Sequence, residues 1–362
     1  TWWNPAGLAV GPIADEWKLT RAHAPQERIT AITSKHRRGF LGNTEIWAGH
    51  SHGLLHFKDG HWRDWWRVNL DERQTVRGAL KRFLGHEEGL DTLLVELRKF
   101  NKISTKEEEA DMVEVKIPWS FALRDSVTAI HYEASSDRLW VGTEKGLWVF
   151  DGAGWKKYSN ELGERKVQAI LSVGATVWIA TDDGLFRFRR SVISRKGMVF
   201  GEKQSFTALA WSESKRELWV GLEGAGVARL QPASEEGGKD RWALFSTADG
   251  LLDNSPRAIV VDPSNHIWLL HAQGLSHFTQ LRWEQVQFEK GNLTDIAVDE
   301  RGVLWITSGE GVWKHEPFYS TALGKKSEQA TATAASSEKE AQGTWAHYHR
   351  GNGLASIEVF AV

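Results

Sequence analysis

The chain has 362 residues, with 45 Lys or Arg and 47 Asp or Glu, which gives a formal charge of −2. This balance lacks the basic excess that phosphate-backbone binding requires, so no nucleic-acid partner is expected. Cysteine is absent, which excludes disulfides, cysteine-ligated zinc and thiolate nucleophiles. No run approaches the ~18 uninterrupted apolar residues of a membrane helix, so no membrane span is expected.

Residues 1–20 have the pattern of three short strands, of which the last carries Trp17. They match the second, third and fourth strands of a unit that recurs in full from residue 28 onward. The segment therefore looks like a sheet that lacks its first strand.

The recurring unit contains a Trp-led apolar run that meets a glycine six or seven residues later. The tryptophans are Trp47, Trp140, Trp178, Trp219, Trp268 and Trp305. From Trp140 onward they are 37 to 49 residues apart, close to the ~40 to 50 residues of a four-stranded propeller blade. Packing between sheets is the expected role of these indoles, since each buries ~150 to 250 Å².

The strand that opens each unit aligns seven times, beginning at Ile29, Val127, Val167, Phe206, Pro256, Leu293 and Ile357. Its third position is mostly Ala and its fourth is apolar, as expected where inner strands crowd round an axis. Seven copies predict an all-β fold, a single seven-bladed β-propeller over residues 1–362, with blades one to six in residues 28–353.

Two segments interrupt the repeat. Between blades one and two, residues 70–110 carry apolar residues at helical spacing, which predicts two short helices broken near residues 85–89. This insertion either packs against the disc or docks a protein partner through Val76, Leu80, Phe83 and Leu94. Residues 321–343, inside blade six, contain mainly small, polar and charged residues and predict a flexible polar loop.

The last segment, residues 355–362, is a first strand without the rest of its unit. Paired with residues 1–20, it would complete blade seven and close the ring, so that neither terminal sheet is left half built.

The LWVGT run, its glycine turn and the outer strand, best seen from Leu139 to Tyr158, resemble the two-component regulator propeller repeat. The resemblance covers nearly all of the chain outside the two interruptions. In that family such propellers often form extracytoplasmic sensory parts of hybrid histidine kinases that detect carbohydrate fragments. It therefore implies recognition of a ligand or protein and favours an extracytoplasmic over a cytoplasmic location.

Candidate binding residues lie on the face formed by the loops entering the inner strands and by the turns between second and third strands. From the inner strands it offers Gln168, Arg257 and Glu358, and from the turns His50, His52, Lys145, Asp182, Asp183, His271 and Glu310. His50, His52 and His271 have the donor types of a zinc site, but the first two come from blade one and His271 comes from blade five, well apart round the ring. We therefore predict no metal and no cofactor.

The leading hypothesis is a non-enzymatic sensor that binds a protein partner or a small glycan-like ligand through this face, with no catalytic residue. Two alternatives remain. One is a lyase acting on a polysaccharide or cyclic peptide, for which His271 is the preferred base. The other is a purely structural subunit of a larger assembly, with Trp65, Trp66, Trp119 and Trp211 as possible surface aromatics.

Overall fold

The structure is a computed structural model that describes twelve stretches of the chain: residues 2–4, 7–9, 19–20, 29–35, 45–59, 61–70, 74–196, 204–233, 239–279, 281–288, 292–316 and 344–348. The expected polar loop at 321–343 and the expected closing strand at 355–362, with Glu358, lie outside these residues.

The described residues form an all-β propeller made of six four-stranded antiparallel sheets, here blades one to six, in which consecutive strands pair. A three-stranded N-terminal sheet precedes them, with β1 (Trp2–Asn4), β2 (Gly7–Ala9) and β3 (Leu19–Thr20). Blade one contains β4 (Ile29–Lys35), β5 (Glu45–His50), β6 (Gly53–Lys58) and β7 (His61–Arg63). A separate two-stranded antiparallel sheet of β8 (Trp65–Asn69) and β9 (Glu114–Pro118) follows.

The other five blades have the same strand order. Blade two contains β10 (Val127–Glu133), β11 (Arg138–Thr143), β12 (Gly146–Phe150) and β13 (Trp155–Lys157). Blade three contains β14 (Val167–Val173), β15 (Thr176–Thr181), β16 (Gly184–Arg189) and β17 (Val192–Lys196). Blade four contains β18 (Phe206–Ser212), β19 (Glu217–Leu222), β20 (Gly226–Gln231) and β21 (Arg241–Phe245). Blade five contains β22 (Ala258–Val261), β23 (Ile267–His271), β24 (Gly274–Phe278) and β25 (Trp283–Gln287). Blade six contains β26 (Leu293–Val298), β27 (Leu304–Ser308), β28 (Gly311–Glu316) and β29 (Thr344–Tyr348).

The first strands of neighbouring blades contact one another in chain order, from β4 through β10, β14, β18 and β22 to β26. The hydrophobic cores lie between adjacent blades, as where Trp178 of blade three packs with Phe206 and Leu218 of blade four. Five of the six strand-leading tryptophans are buried, and Trp305 is half-buried. Their predicted role in packing between sheets is therefore confirmed for those five.

The inner strands share a β-bulge at their second residue. The register shifts between Ile29 and Ala31 in blade one, and at the matching positions of blades two, three, four and six. A bulge leaves one residue outside the regular pairing and re-aims its side chain. In blade five the ladder begins only at Ala258, two residues after the expected start, because Pro256 has no N–H to donate.

The segment between β8 and β9 contains three helices, α1 (Val76–Leu84), α2 (Leu90–Phe100) and α3 (Lys106–Ala110). Helix α1 begins after Thr75, whose Oγ1 accepts a hydrogen bond from Gly78 N at 3.0 Å. It ends at Gly85, which has the left-handed φ of 75° that suits glycine. The predicted break thus separates two helices.

Helices α1 and α2 bury their apolar sides in one core with the β8–β9 sheet and blade two. The four residues expected to dock a partner, Val76, Leu80, Phe83 and Leu94, are at most 5% exposed, and they share this core with Trp119 and Phe150. These side chains contact the chain's own interior, so the packed interpretation of the insertion fits the structure. They do not form an open docking surface.

Three shorter turns of helix complete the described structure, at Trp119–Phe121, α4 (Ser159–Leu162) and Thr247–Asp249. Across the described ranges, no helix has the length and apolarity that crossing a bilayer would require.

Candidate functional site

The polar residues at the second position of the inner strands join neighbouring blades in blades one to five, whereas Thr294 of blade six is hydrogen-bonded to Thr307 of its own blade. Thr30 and Thr128 each donate a hydrogen bond of 2.5 Å from Oγ1 to the carbonyl oxygen that opens the next inner strand, at Val127 and Val167 respectively. Thr207 does the same to Pro256 at 2.6 Å. These hydrogen bonds between blades account for the polar residues at the second position of the inner strands without a ligand.

The two ligand candidates at this position that the structure describes follow the same rule. Gln168 Nε2 donates to Ser205 Oγ of the next blade at 2.7 Å, and Arg257 Nη1 donates to the Leu293 carbonyl at 2.9 Å. Both side chains are thereby committed to the contact between blades.

The candidate turn residues form local contacts on each blade. Lys145 Nζ lies 3.5 Å from Asp125 Oδ1. Asp183 lies within 3.3 Å of Arg165 and Arg195. Asp182 and Glu310 are exposed, and His50 is buried while His52 is exposed. Within the described residues these contacts are local, and one of them joins two candidates, since His52 N donates to His50 Nδ1 at 3.3 Å.

His271 lies in a hydrogen-bonded chain with the order of a Ser-His-Asp triad. Its Nδ1 lies 3.0 Å from Asp253 Oδ1 and its Nε2 lies 2.8 Å from Ser276 Oγ. Since a carboxylate only accepts, Nδ1 carries the proton, and Ser276 Oγ in turn accepts from Leu252 N at 2.9 Å.

A substrate cannot reach His271 or Ser276 in this hydrogen-bonded network. The His271 and Ser276 residues are 0% exposed, and burial lowers the pKa of His271 although Asp253 opposes the shift. A general base must reach the proton that it abstracts. The network therefore ties the entry loop at Leu252 to the β23–β24 hairpin, and it does not favour the lyase alternative. His50 and His52 belong to blade one, and the residues described include no metal-ligand group that joins them to His271.

The four tryptophans outside the repeated columns have different environments. Trp119 is 1% exposed in the core of the insertion, and half-buried Trp66 packs against it with ring centroids 5.5 Å apart. Trp65 is half-buried beneath the cations of Arg63, Arg67 and Lys116. Trp211 is half-buried and lines a pocket between blades three and four.

That pocket, here the basic pocket, has a volume of about 740 Å³. It opens at the ends of blades three and four that carry the turns between first and second strands, which is the face opposite to the one expected from the sequence. Its cationic lining is contributed by Arg187, Arg189, Lys215, Arg216, Lys239 and Arg241. The remaining lining residues are neutral, and Trp178 and Trp211 supply aromatic surface.

Within the described part of the chain, none of the six cations of the basic pocket lies within 4 Å of a carboxylate oxygen, although the charge of Arg187 is close enough to help lower the pKa of Asp240. Arg187 Nε is also buried without a hydrogen-bond partner there. A buried N–H without a partner costs about 1–3 kcal/mol. An anion entering the pocket would relieve both the unmet donor and the repulsion among the cations.

The carboxylates at the margin of the basic pocket have other contacts. Asp240 accepts hydrogen bonds from Lys196 Nζ at 2.8 Å and from Ala233 N at 3.0 Å. Burial alone would raise the pKa of Asp240, but these donors hold it below its ordinary value. Glu213 accepts from Trp211 Nε1 at 2.6 Å, and Glu217 accepts from Gln231 at 2.7 Å. Glu235 and Glu236 lie outside the described residues.

No protein-family model matches the sequence, and no curated protein matches it significantly. Among solved structures, the chain is similar to one described as the extracellular domain of a hybrid two-component system from B. thetaiotaomicron. That structure has 14% identity and a TM-score of 0.56, and the match covers 92% of this chain and 35% of that one. This chain thus spans about a third of the length of that structure, and the similarity supports the propeller fold alone.

Two further structures are similar over smaller parts. The extracellular domain described as that of a one-component system from B. thetaiotaomicron has 14% identity and a TM-score of 0.44, covering 86% of this chain and 43% of that one. PorZ, a surface component of the type-IX secretion system of Porphyromonas gingivalis, has 15% identity and a TM-score of 0.43, covering 72% of this chain and 36% of that one.

Proposed function

We propose that this chain is a non-enzymatic recognition propeller that binds an anionic ligand in the basic pocket. The observation that carries the proposal is the set of six cations, without a described carboxylate partner, round one concave site. A volume of about 740 Å³ suits a small molecule or an oligosaccharide fragment better than a flat protein surface.

The ligand class follows from the lining. Arginine guanidinium groups bind carboxylate, sulfate or phosphate oxygens through paired hydrogen bonds. The half-buried indole of Trp211 adds an amphipathic surface that a sugar ring can cover. An acidic oligosaccharide supplies both features, so we assign the pocket to a uronic-acid or similarly charged sugar fragment.

A sensory role outside the cytoplasm agrees with this assignment. The similar structure described as the extracellular domain of a hybrid two-component system supports it only through its fold. A rigid stack of sheets presents its turns in fixed positions, so ligand recognition needs no movement of the core. A protein partner would then recognise the propeller with its ligand bound. The insertion would serve as part of the scaffold.

We also propose that the ring has seven blades. Among the described strands, β1 lies at the edge of the three-stranded N-terminal sheet, and the repeat aligned at Ile357 supplies the sequence of a fourth strand. Pairing of residues 355–362 with β1 would complete a four-stranded blade.

Binding of a uronic-acid trisaccharide, measured by titration calorimetry, tests the ligand proposal. The uncharged trisaccharide of the same linkage is the matched probe. We expect saturable binding of the acidic sugar that weakens as salt is raised, because the cations are partly open to solvent. Equal affinity for the uncharged sugar, or absence of binding to the acidic one, would overturn the proposal.

A double variant, Arg189→Gln with Arg241→Gln, locates the site. Both side chains are exposed, so the fold should persist, and affinity should fall at least ~10-fold, since a hydrogen bond to a charged group contributes about 1.5–3 kcal/mol. Lys99→Gln with Lys102→Gln removes the same charge from exposed positions of the insertion. That control should bind as the parent chain does, and equal losses in both double variants would argue for nonspecific attraction.

A further inference from the structure

Three metal-ligating side chains meet at the end of blade five that faces the same way as the basic pocket. Asp262 and His266 lie in the turn between β22 and β23, and His277 lies on β24. The hairpin register pairs His277 with Trp268, two residues beyond His266. The sequence separation of eleven residues is thereby converted into close contact.

The donor atoms are close enough to share one ion. One oxygen of Asp262 and one nitrogen from each of the two imidazoles all lie within 4.8 Å of one another. His266 Nδ1 is 3.2 Å from Asp262 Oδ2, and the two imidazole rings are 5.1 Å apart at an angle of 76°. Bond lengths of about 2.0–2.1 Å need only small movements from this arrangement.

The donors are held in place by their neighbours. Asp262 Oδ1 accepts from His266 N at 2.9 Å, and Asp262 Oδ2 accepts from Trp268 Nε1 at 3.2 Å. The His277 ring stacks on Trp268 with centroids 3.6 Å apart and planes within 6°. Such outer contacts are what orient the ligands of a metal site.

One nitrogen has no other described use. His277 Nε2 is buried and has no hydrogen-bond partner among the residues that the structure describes. A buried nitrogen without a partner gains an interaction when an ion binds it.

We propose that Asp262, His266 and His277 form a binding site for a divalent transition metal, with Zn²⁺ as the favoured ion. Two imidazole nitrogens and one carboxylate oxygen suit zinc and its neighbours, whereas Mg²⁺ and Ca²⁺ prefer oxygen ligands throughout. Three protein ligands leave a fourth position of a tetrahedral ion for water. When bound, the ion cross-links the first turn of blade five to its third strand.

The test is titration of Zn²⁺ alone into the full chain after treatment with a chelator, followed by Co²⁺ as a spectroscopic substitute. We expect one saturable equivalent and the visible absorption of tetrahedral Co²⁺. His266→Gln, His277→Gln and Asp262→Asn should each weaken binding at least ~10-fold. His61→Gln, which removes an exposed imidazole from blade one, should leave it unchanged.

His277→Gln also loses the stack on Trp268, so weaker binding in that variant could come from a folding defect. His266→Gln distinguishes the two causes, because the side chain of His266 is 30% exposed. Zn²⁺ should raise the unfolding temperature of the parent chain but not that of His266→Gln. Absence of saturable binding in the parent chain, or parent-like binding in His266→Gln and Asp262→Asn, would overturn the proposal. Neither result bears on the basic pocket, which shares no residue with this site.

Discussion

Thr128 Oγ1 donates a hydrogen bond of 2.5 Å to the carbonyl oxygen of Val167, and this contact joins the inner strand of blade two to that of blade three. Thr128 is the bulged residue of its strand, since the register shifts between Val127 and Ala129. The same arrangement recurs at Thr30 and Thr207. The bulge thus re-aims the side chain of Thr128, so that it forms a hydrogen bond with the sheet of the next blade.

Thr128→Val removes this hydroxyl and keeps the shape of the side chain. We expect the free energy of unfolding to fall by about 1 kcal/mol, because the Val167 carbonyl loses its donor. Urea denaturation measures the change. Thr92→Val, at an exposed position of α2, is the control and should stay within about 0.5 kcal/mol of the parent; an equal change in both variants would contradict a specific role for the link.

Gly142→Ala should destabilise the boundary between the same two blades. A Cβ atom at residue 142 would lie 2.5 Å from Val167 Cγ1, which is too close for two non-bonded carbon atoms. Overpacking of this kind costs about 1–3 kcal/mol. The same restriction recurs at Gly49 of blade one, where a Cβ atom would lie 2.3 Å from Val127 Cγ1, whereas blade three has the fully buried Ala180 at the matching position.

A double-mutant cycle with Val167→Ala separates the clash from other effects of Gly142→Ala. If the clash is the cause, the double variant should be more stable than the sum of the single losses implies, by at least about 0.5 kcal/mol. Thermal or urea unfolding of the four proteins gives the coupling. Strict additivity would show that Val167 is not the obstacle.

The sequence predicted the strands because each has its own local pattern. The inner strands begin at Ile29, Val127, Val167, Phe206 and Leu293 as expected. The use of their second residue was not predictable, because it depends on a bulge in the pairing with the next strand. The second position of the inner strands is polar in most copies, but most of its hydrogen-bond partners belong to another blade.

Neither candidate binding site could be predicted from the sequence alone, because each combines residues that only the fold brings together. The basic pocket combines Arg187 and Arg189 from the end of β16 with Lys215 and Arg216 from a turn of the next blade. The sequence pattern favours the opposite face, where loops are the usual binding elements. The signals present were the cationic strand end at residues 187–190 and the cationic turn at residues 215–216, but only the fold brings them together.

Phe83→Ala tests whether the insertion is part of the folded core. Phe83 is 0% exposed and packs against Trp119 and Phe150. Its loss should lower the free energy of unfolding by about 3–5 kcal/mol, since it leaves a cavity. Val95→Ala, on the same pair of helices but 64% exposed, should change stability by less than about 0.5 kcal/mol. A small effect of Phe83→Ala would indicate helices that dock loosely on the propeller.

His131 links stability to pH at the boundary between blades two and three. Its Nε2 accepts a hydrogen bond from Ser172 N at 3.2 Å and lies 2.6 Å from Ser172 Oγ. Burial lowers the pKa of His131, and the nearby Glu133 only partly opposes this. The proton that would fill Nε2 is therefore disfavoured in the folded chain.

The sign of the pH effect follows from that pKa. The unfolded chain takes up the proton near its ordinary pKa of about 6.5, before the folded chain does, so the unfolded state gains relative stability as the pH falls below that value. The contribution of neutral His131 is complete above about pH 6.5 and is lost as the pH falls toward the folded pKa.

His131→Gln should therefore be less stable than the parent at pH 7.5, where it loses the contact with Ser172, and the gap should narrow as the pH is lowered to 5.5. Urea denaturation at pH 7.5, 6.5 and 5.5 measures both curves. His61→Gln, an exposed histidine of blade one, should run parallel to the parent over the same range. A gap for His131→Gln that stays constant or widens on acidification would show that the imidazole is not held neutral by its buried position.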